Sequence, residues 1–326
     1  CPTITAEDSI LFRVENLAVL PNSQPLLHVR VCNAGPQVYT GKIQVNVPDS
    51  WRLESTQQDV RLAAGEAKRL AFSVNGGRES TSNAYPIEVV AIANDQQIKH
   101  QQSIVVASAP YFKPTIDGDP TDWKDAIPIE FEVRGKKTSI STYWNRRQFS
   151  VLVKVYEDDL VYFAPDRPFD AVQLALSATG TETGKSPSET SNRFEYLLAA
   201  HDSDTAIAYQ LAKPSTLLSE ASAERSLEQL VHEKVAVAVK RGEGVTIYEC
   251  SIPFSEMRST IRPSEGREFL FSLLIHDPEG TGLRDWGEAA GLWESKRNPL
   301  AWSRWPGAQW PAKAPMECRT EWGMCS

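Results

Sequence analysis

Between about Ile10 and Val106, apolar and polar residues alternate in short runs. Leu27, Val29 and Val31 alternate with His28 and Arg30, and Ile43, Val45 and Val47 with Gln44 and Asn46. Leu70, Phe72 and Val74 alternate with Ala71 and Ser73, and Ile87 and Val89 with Glu88. A period of two puts every second side chain on one face, so these runs predict antiparallel strands with one buried side. Turn formers at Asn33-Ala34-Gly35-Pro36, Pro48-Asp49-Ser50, Ala64-Gly65 and Asn75-Gly76-Gly77 divide the stretch into about seven strands, the spacing of a two-sheet sandwich.

Ser108-Ala109-Pro110 forms a stiff connector, because proline fixes its own backbone and pushes its predecessor towards extended conformations. The predicted boundary divides residues 1–109 from 110–326. Beyond it, Phe149, Val151, Val153 and Val155 alternate with Ser150, Leu152, Lys154 and Tyr156, and Ala171 to Leu176 and Phe194 to Leu198 read as further strands. Ser177 to Asn192, rich in Ser, Thr and Gly, reads as an exposed loop. Leu217 to Val231, entered through Pro214 and Ser215, suits one inserted helix. Val235, Val237 and Val239 return to strand periodicity, and Arg241-Gly242-Glu243-Gly244 turns the chain back into Thr246 to Ser251. The expected fold class is all-β, two β-sandwich domains with one helix inserted in the second.

At 326 residues the chain exceeds what one core usually serves, and 41% apolar content fits two globular domains. Lys+Arg number 34 against 42 Asp+Glu, and a net charge of -8 without a basic run argues against nucleic acid as a partner. No apolar run approaches the roughly 20 residues that a membrane-spanning helix needs. A secreted or cell-surface protein is expected, and Cys1 could be the acylated first residue of a mature bacterial lipoprotein. Of the other cysteines, Cys318 and Cys325 suit a short disulfide-closed loop in an oxidising compartment. Cys32 and Cys250 lie in strand-like runs and read as small buried hydrophobes.

Asp117-Gly118-Asp119-Pro120-Thr121-Asp122-Trp123 combines carboxylates with turn formers, so Asp117, Asp119 and Asp122 could converge on one calcium ion. The competing reading makes the aspartates turn caps and Trp123 a core anchor. Four more phrases follow. They are Tyr156-Glu157-Asp158-Asp159, then Phe169-Asp170-Ala171-Val172-Gln173-Leu174, then Tyr248-Glu249-Cys250-Ser251-Ile252-Pro253-Phe254, and last His276-Asp277-Pro278-Glu279-Gly280 with Asp285-Trp286 and Gly291-Leu292-Trp293-Glu294 behind it. In this order they resemble the β-sandwich of family 9 carbohydrate-binding modules and their DOMON-like relatives. The resemblance implies a sugar slot with Phe169 as one wall, Tyr162 or Phe163 as substitutes, and Trp286 or Trp293 as the other. Asp170 and Gln173 would hydrogen-bond hydroxyls. The family's usual wall is tryptophan, so Phe169 is a departure. Glu249 reads as a buried hydrogen-bonding group of an architectural strand followed by a short helix.

The stretch from about Ile10 to Val106, with Asn33-Ala34-Gly35, Val47-Pro48-Asp49-Ser50-Trp51, Leu62-Ala63-Ala64-Gly65 and Tyr85, resembles the NEW3-type immunoglobulin-like modules attached to bacterial glycosidases. Such modules act as spacers, and Trp51 then plugs the core. No Gly-x-Ser-x-Gly elbow, His-Glu-x-x-His helix or phosphate-binding glycine loop is present, and His201-Asp202-Ser203-Asp204 and His276-Asp277 fall in turn-like contexts. The leading expectation is therefore non-catalytic binding of a glycan, as an accessory to polysaccharide degradation or in surface glycan capture. Two alternatives stand beside it. One is a structural or adhesive surface protein with a degenerate sugar site, its tryptophan-rich tail of Trp302, Trp305, Trp310 and Trp322 docking to a protein partner. The other is a haem-binding DOMON-like domain, for which Met257, Met316 and Met324 are late and poorly placed ligands.

Overall fold

The computed structural model describes residues 9–94, 96–165, 167–178, 193–217, 226–286 and 320–324. They form two compact units, one ending at Ser108 and the other beginning at Ala109. Among them no helix is long and apolar enough to cross a membrane.

The first unit has eight strands: β1 (Ile10–Val14), β2 (Leu26–Asn33), β3 (Tyr39–Asn46), β4 (Arg52–Leu53), β5 (Gln57–Leu62), β6 (Ala67–Gly76), β7 (Tyr85–Ala93) and β8 (Gln96–Ile104). They make two antiparallel sheets, ordered β1-β2-β6-β4 and β5-β3-β7-β8. The alternation read from sequence is the alternation of burial: Leu27, Val29, Val31, Ile43, Val45, Phe72, Val74, Ile87 and Val89 are all buried. Trp51 is buried beside Tyr85, ring centroids 5.0 Å apart, as a core plug. Glu15 is the polar exception. Only 2% exposed, it accepts from Arg30 Nε at 2.6 Å and from Arg69 Nη2 at 2.6 Å. Burial alone would raise its carboxyl, but the Arg69 hydrogen bonds and the two guanidinium charges outweigh that and hold it below the usual 4.5.

The second unit is also a pair of sheets. Its strands are β9 (Ser108–Ala109), β10 (Ile129–Val133), β11 (Lys136–Trp144), β12 (Gln148–Tyr156), β13 (Ala171–Ala178), β14 (Arg193–Ala200), β15 (Ala206–Ala212), β16 (Ala236–Gly242), β17 (Val245–Pro253), β18 (Glu268–Asp277), β19 (Gly282–Trp286) and β20 (Thr320–Met324). One sheet runs β10-β11-β12-β17-β16 and the other β15-β14-β13-β18-β20-β9, with β19 also paired to β18. Phe149 of β12 meets Phe269 and Phe271 of β18 edge to face, centroids 5.1 and 6.0 Å apart, which places the core between the sheets. Cys32 and Cys250 are buried free thiols. The described part of the expected helix, Leu227–Leu230, is a 3-10 turn, and Phe254–Met257 after the Ile252-Pro253 phrase is a one-turn helix.

Strands β11 and β12 are buried on both faces, and Ile116, Trp123 and Ala126 from the segment before β10 pack with Tyr143 and Leu152. Glu249 of β17 accepts from Asp117 N at 3.0 Å, Gly118 N at 2.7 Å and Trp123 Nε1 at 2.9 Å. Gly118, with φ +81°, takes a left-handed conformation, and a Cβ there would strike the Lys240 side chain. Trp123 then stacks on Tyr143 at 5.1 Å over Leu152. The acidic turn and the Tyr-Glu strand, remote in sequence, are thus one fastening.

Two predictions follow from these buried carboxylates. Glu249→Ala leaves two amides and an indole N–H without their acceptor and should cost about 3 kcal/mol in urea unfolding, whereas an unchanged midpoint would show the fastening to be dispensable. For Glu15, the ionised form stabilises the fold above about pH 4.5, and that contribution fades as acid protonates the carboxylate. Glu15→Gln, which loses the charge-assisted bonds from Arg30 and Arg69, should be less stable by about 1–2 kcal/mol at neutral pH, and should show a shallower loss below pH 4.5 than the parent.

Candidate functional site

Strand register brings three distant carboxylates together at one end of the second sandwich. On the β13–β18 ladder Ala171 lies opposite His276, so the flanking Asp170 and Asp277 are neighbours. In the facing sheet Val155 of β12 pairs with Thr246 of β17, and Glu157 follows two residues later, its N–H donating to Gly244 O at 3.3 Å. Glu157, Asp170 and Asp277 are 4%, 2% and 4% exposed. Each offers an oxygen within 4.8 Å of those of the other two.

Their hydrogen bonding is unequal. Asp277 Oδ2 accepts from Arg284 Nη2 at 2.6 Å, Thr281 N at 2.9 Å and Thr281 Oγ1 at 2.8 Å. Burial pushes its carboxyl up, yet these bonds and the Arg284 charge hold it below the usual range. Arg284, fully buried, also donates to Lys137 O at 3.0 Å and Thr138 Oγ1 at 3.2 Å, tying β19 to β11. Asp170 Oδ2 accepts from Val161 N at 2.5 Å, but its Oδ1 and both Glu157 oxygens are buried without a hydrogen-bond partner. Arg241 Nη1 is 3.9 Å from Glu157 Oε1, while its Nη2 donates to the carbonyls of Glu157 and Asp158. Burial pushes Glu157 up to about 7, against the pull of Thr246, Arg284 and Arg241. It pushes Asp170 up to about 8, with Glu157 and Asp277 adding repulsion. Gly280 sits hard against the Asp277 carboxylate, where any Cβ would collide with it.

The residues expected to line a sugar slot are placed differently. Phe169 is 1% exposed and packs with Ala171, Leu197, Tyr209 and Leu211, so its ring is a core element and not an open wall. Gln173 is also buried, its Oε1 accepting from His276 Nε2 at 3.1 Å and its Nε2 donating to Glu195 Oε2 at 3.4 Å. Burial depresses His276 to about 3 and keeps it neutral. Asp170 points into the carboxylate cluster instead of towards solvent. These three assignments are corrected by the same physics: strands of this sheet are covered on both sides, so neither face of β13 is free for a ligand. Phe163, the proposed substitute, stacks on His201 at 4.4 Å.

Trp286 is half-buried on β19, tilted against Phe131 of β10 with centroids 5.6 Å apart, and its Nε1 is buried without a partner. Phe131 pairs with Thr138, the residue that Arg284 touches, so this aromatic edge adjoins the carboxylate cluster. Trp293, Trp302, Trp305, Trp310, Cys1, Cys318 and Cys325 lie outside the described residues.

Asp117, Asp119 and Asp122 do not make the expected cation cage. Each serves a local amide: Asp117 Oδ1 accepts from Asp119 N at 2.9 Å, Asp119 Oδ1 from Thr121 N at 3.0 Å and Asp122 Oδ2 from Thr115 N at 2.8 Å. They are turn caps, because short acidic side chains bond their own backbone more readily than they leave it. Of the residues that do converge, Asp170 is expected from the sequence to bond a sugar hydroxyl at the entry to a strand, while Glu157 and Asp277 stand in phrases that read as turns. The available signal was that all three phrases carry an acidic residue at a strand end.

No protein-family model matches the chain, and no curated protein matches it. Among solved structures, a family 9 carbohydrate-binding module from Caldicellulosiruptor kristjanssonii in complex with cellotriose is 14% identical, with a TM-score of 0.43 over 67% of this chain and 92% of that one. The same module in complex with glucose gives 14% identity and a TM-score of 0.40 over 66% and 93%. A YadV chaperone is 10% identical, with a TM-score of 0.24 over 85% and 98%.

Proposed function

We propose that this is a non-catalytic carbohydrate-binding protein of the cell surface or extracellular space, an accessory to polysaccharide degradation or glycan capture. The observation that supports it is the half-exposed Trp286 on the β10–β19 edge, at the head of a tryptophan-rich stretch that includes Trp293. Pyranose rings present C–H faces that pack on indole surfaces. Since the indole N–H is turned inwards, the ring offers its carbon face to a sugar. The absence of a catalytic role is in keeping with the perturbed carboxylates Glu157 and Asp170 being sealed between sheets, where no substrate could reach them.

A second reading is favoured by one observation. With Phe169 enclosed, the wall on which the family resemblance relied is missing, as in a structural or adhesive protein whose slot has been lost, its tryptophan tail held by a protein partner. Affinity electrophoresis through gels containing soluble polysaccharides separates the two. The glycan reading expects retardation by at least one polysaccharide and roughly tenfold weaker binding in Trp286→Ala, about 1.4 kcal/mol, with unchanged far-UV circular dichroism. Migration unaffected by every polysaccharide, with apparent size rising with protein concentration, is the outcome of the adhesive reading.

A further inference from the structure

We infer that Glu157, Asp170 and Asp277 bind one calcium ion between the two sheets of the second unit, at a site other than the Asp117–Asp122 turn. The ligand set is all oxygen, the preference of a hard divalent cation. The geometry is that of a shared ion: the oxygens lie within 4.8 Å of one another, inside the span that ligands with bonds of about 2.4 Å to one centre can cover, and a flexible all-oxygen site suits calcium better than the strict octahedron of magnesium.

A cluster of acids alone would be weak ground, but here the side chains are more than nine-tenths buried, Asp170 Oδ1 has no hydrogen-bond partner, and neither Glu157 oxygen makes a hydrogen bond of good geometry, Thr246 and the Arg241 guanidinium at 3.9 Å only standing near it. Buried polar atoms in folded proteins are nearly always satisfied, so an unpartnered trio calls for a missing neighbour. The arginines do not fill that place. Arg284 is spent on Asp277 Oδ2, Thr281, Lys137 and Thr138, and Arg241 on Thr246 and two backbone carbonyls. Three carboxylates against two guanidinium groups leave one buried negative charge uncompensated, which a divalent ion would more than offset. Tyr248, fully buried, lines the same space, and the field of all three carboxylates reaches it.

The ion would lock three connections at once: the end of β12, the entry to β13 and the β18–β19 turn. That turn leads through Arg284 to Trp286, so loading would set the aromatic edge as well. The inference stands whether or not that edge binds sugar, since its readouts are metal content and unfolding.

The test uses the full chain, refolded after unfolding in chelator so that a trapped ion is released. Elemental analysis after addition of calcium and gel filtration is expected to find one calcium per chain. Thermal unfolding should rise by roughly 10 °C at a thousandfold excess of calcium over its Kd, with a much smaller rise for magnesium. The double variant Glu157→Gln, Asp170→Asn should lose both the bound calcium and the shift, yet still fold in the absence of calcium, because neutral amides bury more cheaply than carboxylates whose oxygens lack hydrogen-bond partners. Asp117→Asn with Asp119→Asn should keep both. If the double variant fails to fold, Gly280→Ala, which displaces only the Asp277 carboxylate, should lower the affinity at least tenfold. Calcium neither retained nor stabilising in the parent, or equally effective in the double or Gly280→Ala variant, would overturn the assignment.

Discussion

A carboxylate that leaves water must be met by donors or by positive charge, and this chain buries several. In the second unit the strands β11, β13 and β14 are covered on their outer as well as their inner faces, so side chains that a simple sandwich would leave wet are taken inside. Each is then a matter of local supply. Glu249 is met by two amides and an indole N–H, Glu195 by Arg193, and Asp277 by Arg284 and Thr281. The fastening of the Asp117 turn, the placement of β19 and the enclosure of Phe169 all depend on these pairings. Glu157 and Asp170 are where local supply runs short, and where ligand chemistry enters.

The strands were legible because their periodicity reports one buried face without reference to the rest of the fold. Leu27, Val29 and Val31 were readable in this way, as were Phe149, Val151 and Val153. Trp51 and Trp123 were readable as anchors because a large ring needs a core, and Glu249 because a lone acid in an apolar strand needs donors. The second covered face was not readable. Strand β11, with Thr138, Ser139, Ser141 and Thr142 all buried, carries the composition of a wet surface.

The site was less legible than the fold for a related reason. An aromatic at the entry to a strand looks the same whether it faces solvent or core, and Phe169 went to the core. The carboxylates of Asp117, Asp119 and Asp122 were close in sequence and so suggested a cage, but closeness along a turn favours capping the nearest amide. Glu157, Asp170 and Asp277 meet through the register of two separate ladders, and register is set by the packing of whole sheets.

The pairing of β12 with β17 has a bearing on how the second unit comes to be folded. Gln148 to Tyr156 hydrogen-bond to Val245 to Pro253, and the strands β13, β14 and β15 of the opposite sheet all lie in the intervening chain. A long loop must therefore close before the centre of one layer exists, and its entropy is lost before contacts repay it. Such a topology makes for slow assembly, with β12 a naked edge while it waits for a partner that is synthesised only after β13, β14 and β15.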